Sequence, residues 1–310
     1  MRKIISVIFL SISIFIYCEI KDKKINFSEK QENSEEVKKI EFLSIHGYTK
    51  EKNKIYFAGI QLEGVDSESF EYLGDKYAKD KIKVYFAGIQ LEGADLQSFE
   101  YLGNEYAKDK NHVYAFGDNS FLSTEDVDLK SFKYLGADYS KDKYSVYYGY
   151  RKLEKIDPSS FEVIFKFGKD KNNVYFYGSK IEKIDMKSFE HLGGYYIRDK
   201  KNIYFGNEKL EDVDLLSFKY MDRYYGKDKK SVYYAAGNLE DSDPSSFEVL
   251  GGFYGKDKNN VYYFDSKINN ADPETFKVYT EGRYIKDTIY NAEDKNNYYY
   301  QEDIVKNKKK

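Results

Sequence analysis

Along most of the chain, short apolar pairs alternate with tight polar clusters. A β-branched residue followed by Tyr recurs as Ile55-Tyr56, Val84-Tyr85, Val113-Tyr114, Val146-Tyr147, Val174-Tyr175, Ile203-Tyr204, Val232-Tyr233 and Val261-Tyr262. Such residues favour strands. Each pair follows a polar run such as "KDKNN" (256–260), whose Asp and Asn fold onto their own backbone and tolerate left-handed angles. Tyr77, Tyr106, Tyr139 and Tyr254 begin the strand ahead of that run. The pattern predicts one β-hairpin per copy. Successive strand residues face opposite sides, so both faces of each hairpin carry apolar bulk.

The copies are in phase. Aligned on the Asp of Lys-Asp-Lys, they place Asp80, Asp109, Asp142, Asp170, Asp199, Asp228 and Asp257 in register, with Glu51 in a degraded first copy. The steps are 29, 29, 33, 28, 29, 29 and 29 residues, the longest carrying extra residues around 118–126. Eight copies therefore span 46–290. The segment 291–310 reads as a degenerate final repeat and basic tail, because "EDKNNYYY" (293–300) repeats the phrase out of phase.

A second landmark, Asp-x-x-Ser-Phe, ends at Phe70, Phe99, Phe132, Phe161, Phe189, Phe218 and Phe247, and at Phe276 with Thr275 in place of Ser. Asp is a good helix N-cap. The three prolines of the chain, Pro158, Pro244 and Pro273, stand just after this Asp, where a missing N–H costs nothing. The spacing predicts a short capped helical turn whose Phe points inward and staples to the residue before the cap. After Phe, Phe247 and Leu250 of "FEVLG" (247–251) suit a helix ended by Gly251, whereas "TFKVYT" (275–280) suits a strand; of the two, a strand is expected.

One such unit cannot cover two apolar faces, whereas stacked neighbours can. The expected fold is mainly β, with tandem repeats of about 29 residues, each a β-hairpin plus a short capped turn, in an elongated β-solenoid or superhelical array. An eight-bladed β-propeller is the alternative, although propeller blades usually need 40–50 residues. The "KDKNNVYY" phrase with its spaced "DPSSF" resembles the DKNYY repeat family over about 46–290. The resemblance implies a bacterial exported repeat protein with no assigned activity.

Composition removes several function classes. Tyr numbers 34 and Phe 22, too aromatic for a disordered chain. The net charge of −3, with both signs interspersed, gives no basic stripe for nucleic acid. His46, His112 and His191 fall at different repeat phases and form no metal or catalytic cluster. The Lys-Asp-Lys aspartates are structural turn formers rather than calcium ligands, since the remaining oxygens and Gly of a calcium loop are missing. No nucleotide-binding or hydrolase motif occurs, so no enzyme, cofactor or metal is expected. The local break at 117–126 is the first place to seek a unique contact.

The N-terminus supplies an address. Arg2 and Lys3 precede an apolar run from Ile4 to Tyr17, about 14 residues and short for a membrane span. Residues 1–17 read as a signal peptide. Cys18, the single cysteine, stands where a bacterial lipoprotein signal carries its lipidated residue, although Tyr17 fits that signal poorly and plain secretion is the alternative. Residues 18–45 read as a charged flexible spacer. The expected location is the cell envelope, as a membrane lipoprotein, or outside the cell. Tyr147, Tyr175, Tyr204, Tyr233 and Tyr262 recur once per repeat and should form a ladder. Packing is one role for it. The other is a Tyr-rich surface for an unknown protein or glycan partner, with the membrane contacted through the lipid.

Overall fold

The computed structural model describes residues 40–41, 47–115, 121–122, 127–222, 224–285 and 288–308. The described residues build nine four-stranded antiparallel sheets, each an up-and-down meander in which sequence neighbours pair. In one unit the strands are Glu248–Gly251, Tyr254–Lys256, Val261–Tyr263 and Ser266–Lys267. The expected hairpin is the central pair, with Lys256 opposite Val261 and Tyr254 opposite Tyr263. The "FEVLG" phrase is the first strand, the expected one of the two forms, and not the helix that Phe247 and Leu250 also suited. The capped turn is present in every copy, but it winds into a 3₁₀ helix only at Met186–Ser188 and is otherwise a simple turn.

The sheets stack face to face. Alternation along each strand sends Tyr77, Val84 and Phe86 forward onto Phe99, Tyr101, Ala107 and Tyr114 of the next unit. The intervening Ala78 and Tyr85 face back onto Tyr48 and Ile55 of the unit before. Eight core clusters result, each joining two consecutive units. The core thus lies between units, as expected for segments too small to bury their own faces. The array is repetitive, solenoid-like and open, with no closed barrel.

The tyrosine that begins each second strand fastens neighbours together. Tyr48, Tyr77, Tyr106, Tyr139, Tyr196 and Tyr254 are fully buried, and Tyr225 nearly so. Their hydroxyls reach backbone of the following unit. Tyr48 donates to the Lys76 carbonyl at 3.1 Å and accepts from the Gly88 amide at 2.9 Å, and Tyr225 lies 2.9 and 2.8 Å from the Phe253 and Phe264 carbonyls. A buried hydroxyl needs such partners, since an unpaired one costs about 1–3 kcal/mol. One copy carries Phe167 instead and packs without the bond.

The Asp-x-x-Ser-Phe rings wedge against these tyrosines. Phe70, Phe161, Phe247 and Phe276 sit 5.4–5.6 Å from Tyr48, Tyr139, Tyr225 and Tyr254 of the unit before. Phe132, Phe161, Phe247 and Phe276 are buried; Phe70, Phe99, Phe189 and Phe218 are partly so. Phe70 and the residue before its cap, Val65, pack against the same cluster, in which the Phe70 ring wedges against Tyr48 of the unit before. In the fifth, seventh and eighth units the wedge also leaves room only for glycine in the second strand. A Cβ on Gly226 would stand 2.5 Å from the Phe218 ring, and Gly255 is more crowded against Phe247. Phe161→Ala is expected to cost about 3–5 kcal/mol, read as a drop in the denaturant midpoint. An unchanged midpoint would show that the ring is not a wedge.

Both ends depart from the consensus. Strand Thr288–Glu293 crosses residue 290, so the boundary expected there lies inside a complete ninth unit of strands Lys277–Ile285, Thr288–Glu293, Asn297–Tyr300 and Asp303–Asn307. Asp294 takes the repeat aspartate's place, and the residues that put it out of phase lengthen the first hairpin. Asn291 replaces the fastening tyrosine, and Lys308 lies 4.6 Å over the Tyr298 ring, which gives the last unit a polar end. At the other end, Ile40–Glu41 pairs with Lys50–Glu51 as an edge strand. The rest of the expected spacer and the whole signal peptide lie outside the described residues.

Candidate functional site

The repeat aspartates form a structural latch. Each is buried, from Asp170 at 1% exposed to Asp199 and Asp228 at 4%. In the Asp228 copy, one carboxylate oxygen accepts the Lys230 and Ser231 amides at 2.7 and 2.8 Å. The other accepts the Asp214 amide at 2.6 Å and the Tyr233 hydroxyl at 3.0 Å. Asp80, Asp109, Asp142, Asp170, Asp199, Asp257 and Asp294 repeat the three backbone bonds. Burial would raise these carboxyls, but the donors outweigh it and hold Asp80, Asp109, Asp199 and Asp228 below the ordinary value.

The second aspartate closes the loop. Asp214 accepts from the Ser217 amide and hydroxyl at 3.0 and 2.8 Å and pairs with Lys229 at 2.7 Å, while the Ser217 oxygen accepts the Lys229 amide at 3.1 Å. The Lys229 ammonium, then the Ser217 donors, hold its carboxyl down at about 2. The repeated Asp, Ser and Lys side chains of this copy are thus engaged within the fold. Among the described residues no group of three or more His, Cys, Asp or Glu side chains could hold a metal. His112 lies in a hairpin turn beside Asp109, and His191 stacks on Phe165. His46 and Cys18 fall outside the described residues, as does most of 117–126, of which Phe121–Leu122 form a strand.

The expected tyrosine ladder exists but faces inward, which corrects its role as a binding surface. Tyr147, Tyr175, Tyr204, Tyr233 and Tyr262 are all buried, at 1–6% exposure. Tyr147, Tyr233 and Tyr262 donate to their own latch aspartate at 3.0, 3.0 and 3.2 Å. Stacking covers both faces of every interior sheet, so these rings have no solvent side to offer.

The surface aromatics are elsewhere. In a meander, the turns after the first and third strands lie on one edge of the array, opposite the latch turns. In the second and third units that edge carries Asp75-Lys76, Ala87-Gly88 and Asn104-Glu105. From the fourth unit onward it turns aromatic, with Tyr150 and Tyr177 exposed, Phe165 and Phe253 each 41% exposed, and Tyr195, Tyr224 and Phe264 half-buried. The rings form one continuous strip. Tyr148 lies 6.3 Å from Tyr177, Tyr177 4.3 Å from Phe176, Phe176 6.0 Å from Tyr195, Tyr195 5.4 Å from Tyr224, Tyr224 5.6 Å from Phe253, and Phe253 4.8 Å from Phe264. At its C-terminal end stands the long hairpin of the ninth unit, with Tyr284 exposed.

The strip stands at a cost to the backbone. Phe165, Tyr177, Phe253 and Phe264 occupy turn positions at φ 56°, 48°, 69° and 55°. Bulky residues avoid this left-handed region, which Gly and Asn enter readily, and the strain is on the order of 1–2 kcal/mol per residue. Strain kept at a half-exposed position points to use of the side chain. Phe253→Asn and Tyr177→Asn should therefore leave the melting temperature nearly unchanged, relief of strain offsetting lost ring contacts. A loss comparable to that of Phe161→Ala would show that these rings serve folding. The strip could have been found by aligning turn positions, where Tyr195, Tyr224 and Phe253 recur at the repeat spacing of 29 residues; Tyr177 and Phe264 share the phase of a different turn, with Gly206 and Ala235 between them.

A model of the DKNYY family matches residues 11–118, 48–177 and 167–303. Comparison with curated proteins and with solved structures gave no match.

Proposed function

From the premise that this chain belongs to the DKNYY family, whose model matches it three times in succession, we propose that it is a non-enzymatic exported repeat protein. It is held at the bacterial envelope by a lipid on Cys18 and presents its aromatic turn edge to a partner protein. The observation that carries this reading is the strip itself: aromatic rings kept half-exposed, four of them on strained backbone, where other copies of the repeat have small or charged residues. Aromatic residues are enriched in the centres of protein interfaces and anchor them. The anchor rests on the sequence alone, on the apolar run ending at Cys18 and the charged spacer after it. A lipoprotein terminus with more than one acyl chain holds a membrane stably.

Site-specific photo-crosslinking in cells tests the surface. A crosslinker at Tyr177 should capture a discrete protease-sensitive species, and one at Lys229, on the opposite edge, should not. Equal capture from both positions would contradict the assignment. A species destroyed by periodate and resistant to protease would make the partner a glycan. Mass spectrometry of the mature N-terminus tests the anchor: acylated Cys18 supports it, whereas unmodified Glu19 or a later first residue removes it.

A further inference from the structure

The strip has a recess. Between the seventh and eighth units, Asp222, Tyr224, Tyr225, Gly252 and Phe253 line a cleft open to solvent. Its walls are aromatic rings, with Tyr224 and Phe253 at a centroid distance of 5.6 Å and tilted by 54°. The exposed Asp222 carboxylate shares in its lining. A second exposed carboxylate, Asp265, occupies the neighbouring turn beside Phe264. Both lie close enough to add to burial in pushing the Tyr225 hydroxyl upward.

Aromatic faces attract a cation through the negative face of the ring, and a carboxylate at the rim adds direct attraction. The recess is wide enough for a side chain, not for a folded element. Resting on the reading of the strip as a docking edge, we propose that its partner is a cationic extended polypeptide. A Lys or Arg side chain enters the recess against the Tyr224 and Phe253 rings, facing Asp222. Apolar residues of the same segment lie along Phe264 on one side and Tyr195 on the other. Asp265 receives the next cation.

Fluorescence anisotropy with the full chain tests this, using labelled peptides (Lys-Ser-Leu)4, (Gln-Ser-Leu)4 and (Glu-Ser-Leu)4. The lysine peptide should bind at least tenfold more tightly than the other two. Asp222→Asn combined with Asp265→Asn should lower its affinity about tenfold, and Phe253→Asn about fivefold. Glu240→Gln combined with Glu274→Gln changes net charge equally away from the strip and should leave affinity within about twofold. Thermal melting of each variant confirms folding. Equal losses in the two charge-matched double variants would reduce the effect to net charge and overturn the proposal. If the glutamine peptide binds as well as the lysine peptide and only Phe253→Asn weakens it, the docking edge stands and the cationic partner falls. If no peptide binds, the cationic recess falls, and crosslinking from Tyr177 still decides the edge by itself.

Discussion

Raising the pH from 10 to about 11.5 is expected to unfold the whole array. Seven tyrosines fasten successive units, and burial pushes every one of their hydroxyls upward, Tyr48 and Tyr139 to about 12 and Tyr77, Tyr106, Tyr196, Tyr225 and Tyr254 further. An unfolded tyrosine titrates near pH 10. Above that value the unfolded chain releases protons that the folded chain retains, so stability falls as pH rises. Stability from these groups is complete below pH 10 and is lost upward from there. Each contributes a loss of about 1.4 kcal/mol per pH unit. Together seven remove about 10 kcal/mol by pH 11, comparable with the whole stability of an ordinary domain. Circular dichroism and phenolate absorbance should therefore change together in one steep transition. Gradual phenolate formation near pH 10 with the sheet signal intact would mean that these hydroxyls are open to water.

Asp228→Ala is expected to cost about 4–6 kcal/mol. The carboxylate is the common acceptor for four donors, of which the Tyr233 hydroxyl is buried and the Asp214 amide partly so. Stranding a buried donor costs about 1–3 kcal/mol, and charged acceptors strengthen the remaining bonds. Asp228→Asn should cost less, because one oxygen still serves the Lys230 and Ser231 amides while its NH2 group meets the Asp214 amide donor to donor. Urea denaturation reads both. The turn carrying Ser217 and Phe218 depends on the same latch, so the loss should extend to the interface with the sixth unit. Equal stability of wild type and alanine variant would mean that the turn holds without the latch.

Much of this was legible in the chain because the fold repeats. A single "DKNN" would be an ordinary turn signal; seven Asp-Lys turns in phase, with Glu51 in a degraded eighth, defined the unit, its strands and the coverage of its faces by neighbours. The bond from the Asp214 amide to Asp228 was not legible, because it joins backbone to a carboxylate 14 residues on and leaves no mark of residue type. The direction of Tyr175 and its equivalents was hidden for another reason. Alternation tells the inside of a sheet from the outside only when one face is wet, and here Val174 and Tyr175 are both buried. The last unit misled by spacing alone. Its Asp294 lies 22 residues from Asp272 instead of 14, yet it makes the same bonds.

Hydrogen exchange of the full chain carrying Tyr139→Ala tests most directly the claim that the core lies between units. Tyr139 belongs to the fourth unit and touches Phe161 and the Gly178 amide of the fifth. The account predicts that amides of Phe167–Lys169 and Val174–Phe176 lose protection as much as those of Tyr139–Lys141. Faster exchange confined to the fourth unit, with the fifth unchanged, would contradict it.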